Sequence, residues 1–372
     1  MVSLTDFRVL QILPGGRVCG GIENFIMNYY REMVKIGVQF DFLVHYDEIG
    51  YYDDEIKSLG GRIYYCNVRR DKNIIKYLYF LFRFFKEHKE YKIIHGHMPG
   101  MAPLYFIVAK IFGVKNRISH CHVTDTEPTI KGRILEFIIK SIPFFSNVYF
   151  SCSIMAGKYM YGKRNFTVIH NAINVDKYSY NKKNRQNIRE ELGIHNCFVV
   201  GNVARFNIQK NHEFLIDVFF EIKKILPSSI LLLLGEGPLE EEVKSKCKAL
   251  GIEKSCIFLG MKEDVYRYYS AMDCFVLPSL FEGLTIVGVE AQAAGLNTFV
   301  SDSSTPELNI TSLVHFLSLK EGPEYWAKYI IKYHMNDRRE DNSMITTGGY
   351  NIKNESEKLK DYYKEMVNSL NE

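Results

Sequence analysis

The sequence predicts an α/β protein built from two doubly wound domains, and three observations carry that expectation. The chain is 372 residues long, more than one ordinary core fills and enough for two domains of roughly 150–200 residues each. Short apolar runs rich in Val, Ile, Leu and Phe alternate with longer helical patterns along most of its length, the grammar of parallel strands wrapped by helices. That grammar occurs twice, on either side of a polar, Asn-rich crossing at 168–180 (VIHNAINVDKYSY).

In the first half, strands are expected at 8–14, 39–44, 62–66, 92–97, 116–122 and 147–152, with helices at 22–36, 73–87, 102–112 and 133–142. In the second half, strands are expected at 198–203, 230–234, 256–259, 274–277 and 298–301, separated by helices such as 213–226 and 239–250. A Thr-Thr-Gly-Gly break at 346–349 precedes a last helical pattern at 355–370. The expected domains are two Rossmann-like sandwiches, residues 1–170 and 171–351. Ligands of open sheets bind beyond the carboxyl ends of the strands, so chemistry is expected in a cleft that the two domains face.

Composition narrows the function classes. The chain is 47% hydrophobic and 24% charged, with eight cysteines that form no Cys-x-x-Cys pair; scattered reduced thiols of a cytoplasmic protein are the expectation. The opening MVSLTDFRVLQILPGG lacks a basic region and a small-residue cleavage site, and reads as a first strand. No apolar run reaches the ~18–20 residues of a membrane span. The net charge is +4, with no basic tract pointing to nucleic acid. Charge is uneven, however: residues 1–170 carry 23 Lys+Arg against 15 Asp+Glu, and the remainder carries 24 against 28. Different partners for the two halves are expected.

The most specific string is Pro278-Ser279-Leu280-Phe281-Glu282-Gly283-Leu284-Thr285, followed by Glu290-Ala291 and Gly295. A strand runs through a Pro-Ser turn into a helix expected to start near Leu284. Amide groups at such a start, with the helix dipole, attract a phosphate. Gly283 leaves room for close approach, and the carboxylates of Glu282 and Glu290 suit pairs of sugar hydroxyls. Two glutamates at this spacing are common on solvated helices; the whole string is what carries weight. After another strand comes Arg205-Phe206-Asn207-Ile208-Gln209-Lys210, where a planar guanidinium and a point charge could flank a diphosphate or simply be solvated.

The string Pro-Ser-x-x-Glu-Gly, with seven residues between its glutamates and then Glu-Ala-x-Ala-x-Gly, resembles the signature of the retaining glycosyltransferases of family four. These have the GT-B fold, and FEGLTIVGVEAQAAGLNTFVSD is similar to bacterial enzymes that assemble capsule and exopolysaccharide units. The resemblance implies a C-terminal helix, 352–372, packing back on the first domain, and a nucleotide-sugar donor held by the second. Carried over, Glu282 faces the donor sugar and Glu290 the ribose, with Gly283, Leu284 and Thr285 at the phosphate. Arg205 and Lys210 match the family's Arg–Lys pair. Asn297 departs from the family's usual Pro.

Within Pro14-Gly15-Gly16-Arg17-Val18-Cys19-Gly20-Gly21, the resemblance makes Gly20 and Gly21 the loop over the donor diphosphate. Of Arg117-Ile118-Ser119-His120-Cys121-His122, it makes His122 the histidine near the transferred sugar, with His120 the alternative contact. His120 and His122 share a face by strand alternation. His95, His97, His120 and His122 could hold a metal, but no acidic or Cys framework completes a site. There is no Asp-x-Asp, Asp125-Thr126-Glu127 being the nearest approach, so catalysis is expected to need no metal or other cofactor. Loops 235–238 and 258–261 are further candidates to line a nucleotide pocket.

The implied donor is a UDP-sugar, and the implied acceptor a lipid-linked sugar or saccharide at the cytoplasmic face of a bacterial membrane. Docking on anionic lipid is expected through 62–92, where nine Lys+Arg stand against three Asp+Glu among Tyr and Phe; Arg69, Arg70, Lys72, Lys76 and Arg83 are the expected contacts. Helix packing with solvated cations is the plainer alternative. Two other functions remain open here: a nucleotide-sugar 2-epimerase of the same fold, and a non-catalytic partner subunit of a transferase.

Overall fold

The computed structural model describes residues 8–14, 20–46, 49–67, 73–126, 129–333, 338 and 342–369. The chain divides into two compact units, Met1–Ala172 with Ile352–Glu372, and Ile173–Asn351.

Among the described residues of the first unit, seven parallel strands form one sheet: β1 (Arg8–Leu13), β2 (Gln39–Val44), β3 (Ile63–Tyr65), β4 (Ile93–Gly96), β5 (Asn116–Cys121), β6 (Val148–Ser151) and β7 (Thr167–Val168). Their order is β3-β2-β1-β4-β5-β6-β7, so the winding reverses between β1 and β4. Register across that reversal places Gln11 beside His95. The helices are α1 (Gly21–Lys35), α2 (Asp53–Ser58), α3 (Ile74–Glu87), α4 (Ala102–Ile111), α5 (Ile130–Ser141) and α6 (Ile154–Tyr161). The core gathers Leu10 and Ile12 of β1 with Tyr77, Leu81, Phe84 and Phe85 of α3, an i, i+4, i+7, i+8 stripe. The Asn73 side chain starts α3 by accepting from the amides of Ile75 and Lys76.

In the second unit, six parallel strands are described: β8 (Val199–Val203), β9 (Ile230–Leu234), β10 (Cys256–Phe258), β11 (Cys274–Leu277), β12 (Asn297–Ser301) and β13 (Val314–Leu317). Their order is β10-β9-β8-β11-β12-β13, with the reversal between β8 and β11. Helices α7 (Lys182–Glu191), α8 (His212–Ile225), α9 (Glu240–Ala249), α10 (Val265–Ala271), α11 (Ile286–Ala293) and α12 (Gly322–Tyr333) cover it. Asp273, just before β11, ties α7 down: Arg185 and Arg189 each donate to it at 2.6 Å, and the Val199 amide donates at 2.7 Å.

The last helix, α13 (Ile352–Asn368), returns to the first unit and packs on α1. Asn116 donates to the Met366 carbonyl at 2.9 Å, and buried Glu355 takes His170 and Lys358. Several elements differ from the sequence expectation for local reasons. Helix α5 begins at Ile130 because Thr129 caps it, accepting from the Gly132 amide. Strand β13, VHFL, is too short and mixed to have been expected. No helix among the described residues is long and apolar enough to cross a membrane.

Candidate functional site

In the second unit, the loops that follow β8 and β11 lie side by side because the strand order reverses between those two strands, the place where open sheets bind ligands. The backbone knits them together. The Leu280 amide donates to the Gln209 carbonyl at 2.8 Å, and Asn211 donates from its side chain to the Pro278 carbonyl at 3.1 Å. Asn211 is left-handed, φ 53°, a conformation Asn tolerates better than most residues, and it leads directly into α8. A third loop presses in after β9. Gly235 has φ +128°, and a Cβ there would fall 2.1 Å from the Ala204 carbonyl oxygen, so only glycine lets this loop lie against the Arg205 loop.

On that base, Lys210 forms an ion pair with Glu282, both side chains largely buried. Ser279 donates to the same carboxylate at 2.8 Å, and Gln209 reaches its other oxygen at 3.5 Å. The pair joins two residues that the sequence assigned to different parts of a donor, Lys210 to the diphosphate and Glu282 to the sugar. Arg205 is exposed and makes no ion pair among the described residues. Gly283 and Leu284 lead to Thr285, the N-cap of α11, whose side chain does not cap the helix. Glu290 lies apart from this network in the second turn of α11. It is buried, and accepts from Tyr269 at 2.8 Å. Burial raises its pKa above the ordinary carboxylate value, with hydrogen bonds from Tyr178 and Tyr269 opposing.

Considered by itself, the first unit carries a histidine stack at the carboxyl ends of β4 and β5. His95 Nε2 meets His120 Nδ1 at 3.0 Å, and His97 Nδ1 meets His122 Nε2 at 2.8 Å. The His120 and His122 rings stack 4.2 Å apart at 13°, and the Phe25 ring of α1 sets its edge against both. His95, His97 and His120 are buried, whereas His122, one step past β5, is partly exposed. Of the two candidates the sequence offered, His122 is therefore the more exposed. Burial is the main reason all four are held well below the usual imidazole pKa, His122 at about 3.

Ligand atoms of His95, His97 and His120 lie within 4.8 Å of one another. Both nitrogens of His95 and of His97 are engaged, with Tyr363 and His120 and with His122 and Gln11 respectively, whereas the buried His120 Nε2 has no hydrogen-bond partner among the described residues. Gly20 is the N-cap of α1 and Gly21 its first residue; residues 15–19 of that glycine-rich loop lie outside the described residues. Arg69, Arg70 and Lys72 are also outside them, while Lys76 and Arg83 stand exposed on α3.

Sequence reasoning missed four partners: Ser279 and Gln209 at Glu282, and Gln11 and Tyr363 at the histidines. Gln11 was signalled by an amide inside the apolar run RVLQIL. Nothing local marked Tyr363.

Comparison with known proteins bears on both units. Residues 184–350 match the family model described as "Glycosyl transferases group 1". The chain is 32% identical over 335 residues to "Putative glycosyltransferase EpsF" of Bacillus subtilis (strain 168), covering 87% of each. It is 25% identical to the "UDP-Gal:alpha-D-GlcNAc-diphosphoundecaprenol alpha-1,3-galactosyltransferase" of Escherichia coli, covering 88% of this chain and 90% of that one. Among solved structures, Anabaena Alr3699/HepE in complex with UDP superposes with a TM-score of 0.75 at 15% identity, covering 96% of this chain and all of that one.

Proposed function

The chain belongs to the group 1 glycosyltransferases, and from that membership we propose that it moves a hexose or N-acetylhexosamine from a UDP-sugar to a hydroxyl of a lipid-linked or saccharide acceptor in bacterial surface polysaccharide synthesis, with retention of anomeric configuration. The observation that carries the donor half is the Lys210–Glu282 pair beside exposed Arg205 at the strand-order reversal of the second unit. The Escherichia coli relative, named for a UDP-galactose donor and a diphosphoundecaprenol-linked acceptor, supports the substrate classes. Arg205, Lys210 and the amides at the start of α11 meet the diphosphate, Glu282 the sugar, Glu290 the ribose after exchanging its tyrosine contacts, and Gly20-Gly21 close on the phosphates. His122 meets the transferred sugar.

The carboxylate placed at the sugar, Glu282, is held in an ion pair with Lys210 and is not a convincing nucleophile for double displacement, so the acceptor hydroxyl attacks from the leaving-group face and the departing diphosphate accepts its proton. A panel of nucleotide sugars, followed by proton NMR of the first product, tests this. UDP-hexoses are expected to turn over only with acceptor present, and the new linkage to keep the donor's configuration. An inverted anomeric signal, or conversion of the donor alone, overturns it. Glu282→Gln is expected to cut turnover far more than nucleotide affinity.

Peripheral attachment to the inner face of the plasma membrane belongs to the same proposal. Helix α3 buries Tyr77, Leu81, Phe84 and Phe85 but leaves Ile74, Ile75, Tyr79 and Phe82 exposed beside Lys76, Arg83 and Lys86. With Leu78 and Phe80 also packed against the core, helix packing accounts for six of its ten apolar residues and leaves these four outside. Helix α5 adds exposed Ile130, Ile134 and Phe137 at i, i+4 and i+7, next to Lys131, Arg133 and Lys140. Apolar side chains interleaved with cations suit an anionic lipid surface. Co-sedimentation with vesicles of acidic lipid should be strong, absent with neutral lipid, and weakened by salt. Changing Arg69, Arg70, Lys72 and Lys76 to Glu should release the protein with nucleotide binding intact; undiminished sedimentation would return these residues to ordinary structure.

A further inference from the structure

We propose that Gln11 is a positioning residue that fixes a proton on Nε2 of His122 and leaves its Nδ1 lone pair bare, so that the site accepts a sugar presenting a hydroxyl there and rejects one presenting a carboxylate. The inference rests on the reading above for the role of His122; the tautomer itself does not.

Gln11 sits in β1 with only 1% of its surface exposed, and an amide so buried must have its polar atoms satisfied. Its Oε1 lies 2.9 Å from His97 Nε2, and its Nε2 donates to the Tyr363 hydroxyl at 3.4 Å. An amide oxygen only accepts, so His97 carries its proton on Nε2. A neutral imidazole has one proton, which makes His97 Nδ1 an acceptor for the 2.8 Å contact with His122 Nε2. His122 is thereby protonated on Nε2, and its Nδ1 is left with a lone pair.

The surroundings hold this arrangement in place. The His120 ring stacks on His122, and the Phe25 edge blocks rotation. Tyr363, from α13, anchors the amide end of Gln11 and also sits 2.7 Å from His95 Nδ1. Burial keeps the stack uncharged. A lone pair receives a hydrogen bond from a sugar hydroxyl, but it faces only further lone pairs on a carboxylate. A site built to pair with a hydroxyl discriminates strongly against a group that leaves it unpaired.

The test uses full-length protein labelled with 15N-histidine and long-range proton–nitrogen correlation at neutral pH, with His97 and His122 assigned by single substitution. The expected spectrum has both rings protonated at Nε2 and bare at Nδ1. Gln11→Met, which keeps the volume and removes the amide, should move both rings toward mixed tautomers. It should also lower kcat/KM for a UDP-hexose about tenfold, the scale of one neutral hydrogen bond, and narrow the preference for UDP-hexose over UDP-hexuronate in competition binding. Tyr363→Phe, which keeps the ring and frees the Gln11 amide, should act in the same direction. A His122 protonated at Nδ1, or tautomers unmoved in both variants, overturns the positioning role. Wild-type protein that binds UDP-hexuronate as well as UDP-hexose overturns the specificity. If the protein transfers no sugar at all, the donor reading fails separately, and the spectrum still decides the tautomer.

Discussion

Replacing Arg205 and Lys210 together with Ala is expected to reduce kcat/KM by two orders of magnitude or more, corresponding to roughly 3 kcal/mol or more of lost transition-state stabilisation. A departing nucleoside diphosphate gathers negative charge as the glycosidic bond breaks, and these two cations flank the site where the proposed reading puts it. Turnover of the wild type should accordingly survive strong chelation; loss with EDTA and recovery with magnesium would reassign the charge-neutralising role to a metal. The single variants should differ in kind. Arg205→Ala removes an exposed side chain with no ion-pair partner among the described residues, so it should act on turnover without touching thermal stability. Lys210→Ala also strands Glu282, whose side chain is only 7% exposed, and should lower the melting temperature as well. Equal melting temperatures for the two single variants would mean that Glu282 is solvated without its lysine.

The largest expected effect on stability comes from Asp273→Ala, at about 3–5 kcal/mol. One carboxylate receives Arg185, Arg189 and the Val199 amide. Arg338 adds a third guanidinium close enough to feel the others: burial first, then Arg185, pushes its pKa down to about 9. Without Asp273, three cations are left crowded against the carbonyls of residues 270–272, and α7 loses its tie to the sheet. Urea denaturation should show the midpoint falling with little change in slope. A loss below about 1 kcal/mol would show that water replaces the carboxylate, as it does for exposed pairs.

The Asp273 clasp also shows where the sequence was legible. Strands such as Ile230–Leu234 announce themselves because a strand buried on both faces must be apolar at every position. The Lys210–Glu282 network was half visible: the residues lie in two short motifs, and strand order alone brings those motifs together. Sequence could not tell that Lys210 would pair with Glu282, because that depends on how closely the Gln209 and Leu280 backbones meet. Nor could it separate His120 from His122, since alternation gives both the same face and only depth distinguishes them. Tyr363 was least legible of all. Its bond to Gln11 spans nearly the whole chain, and a tyrosine on an amphipathic helix carries no local sign of a partner at the other end of the sequence.

The two borders of the second unit lie together. Ile173 and Asn351 form a parallel bridge, and the Ile173 amide donates to the Tyr350 carbonyl at 2.9 Å. The unit is therefore an insertion that closes on itself, entered and left at one seam. A gene fragment encoding residues 173–351 should yield a free-standing nucleotide-binding module, and joining residue 172 to 352 through a short flexible linker should leave the remaining sheet with its own returning helix. In modular terms the chain is a host with a guest. On the proposed reading the guest carries the donor site, so exchanging it at that seam with the same segment of a relative should change which nucleotide sugar is bound in a binding panel while the acceptor used stays the host's; an unchanged donor preference would move the donor site out of the guest.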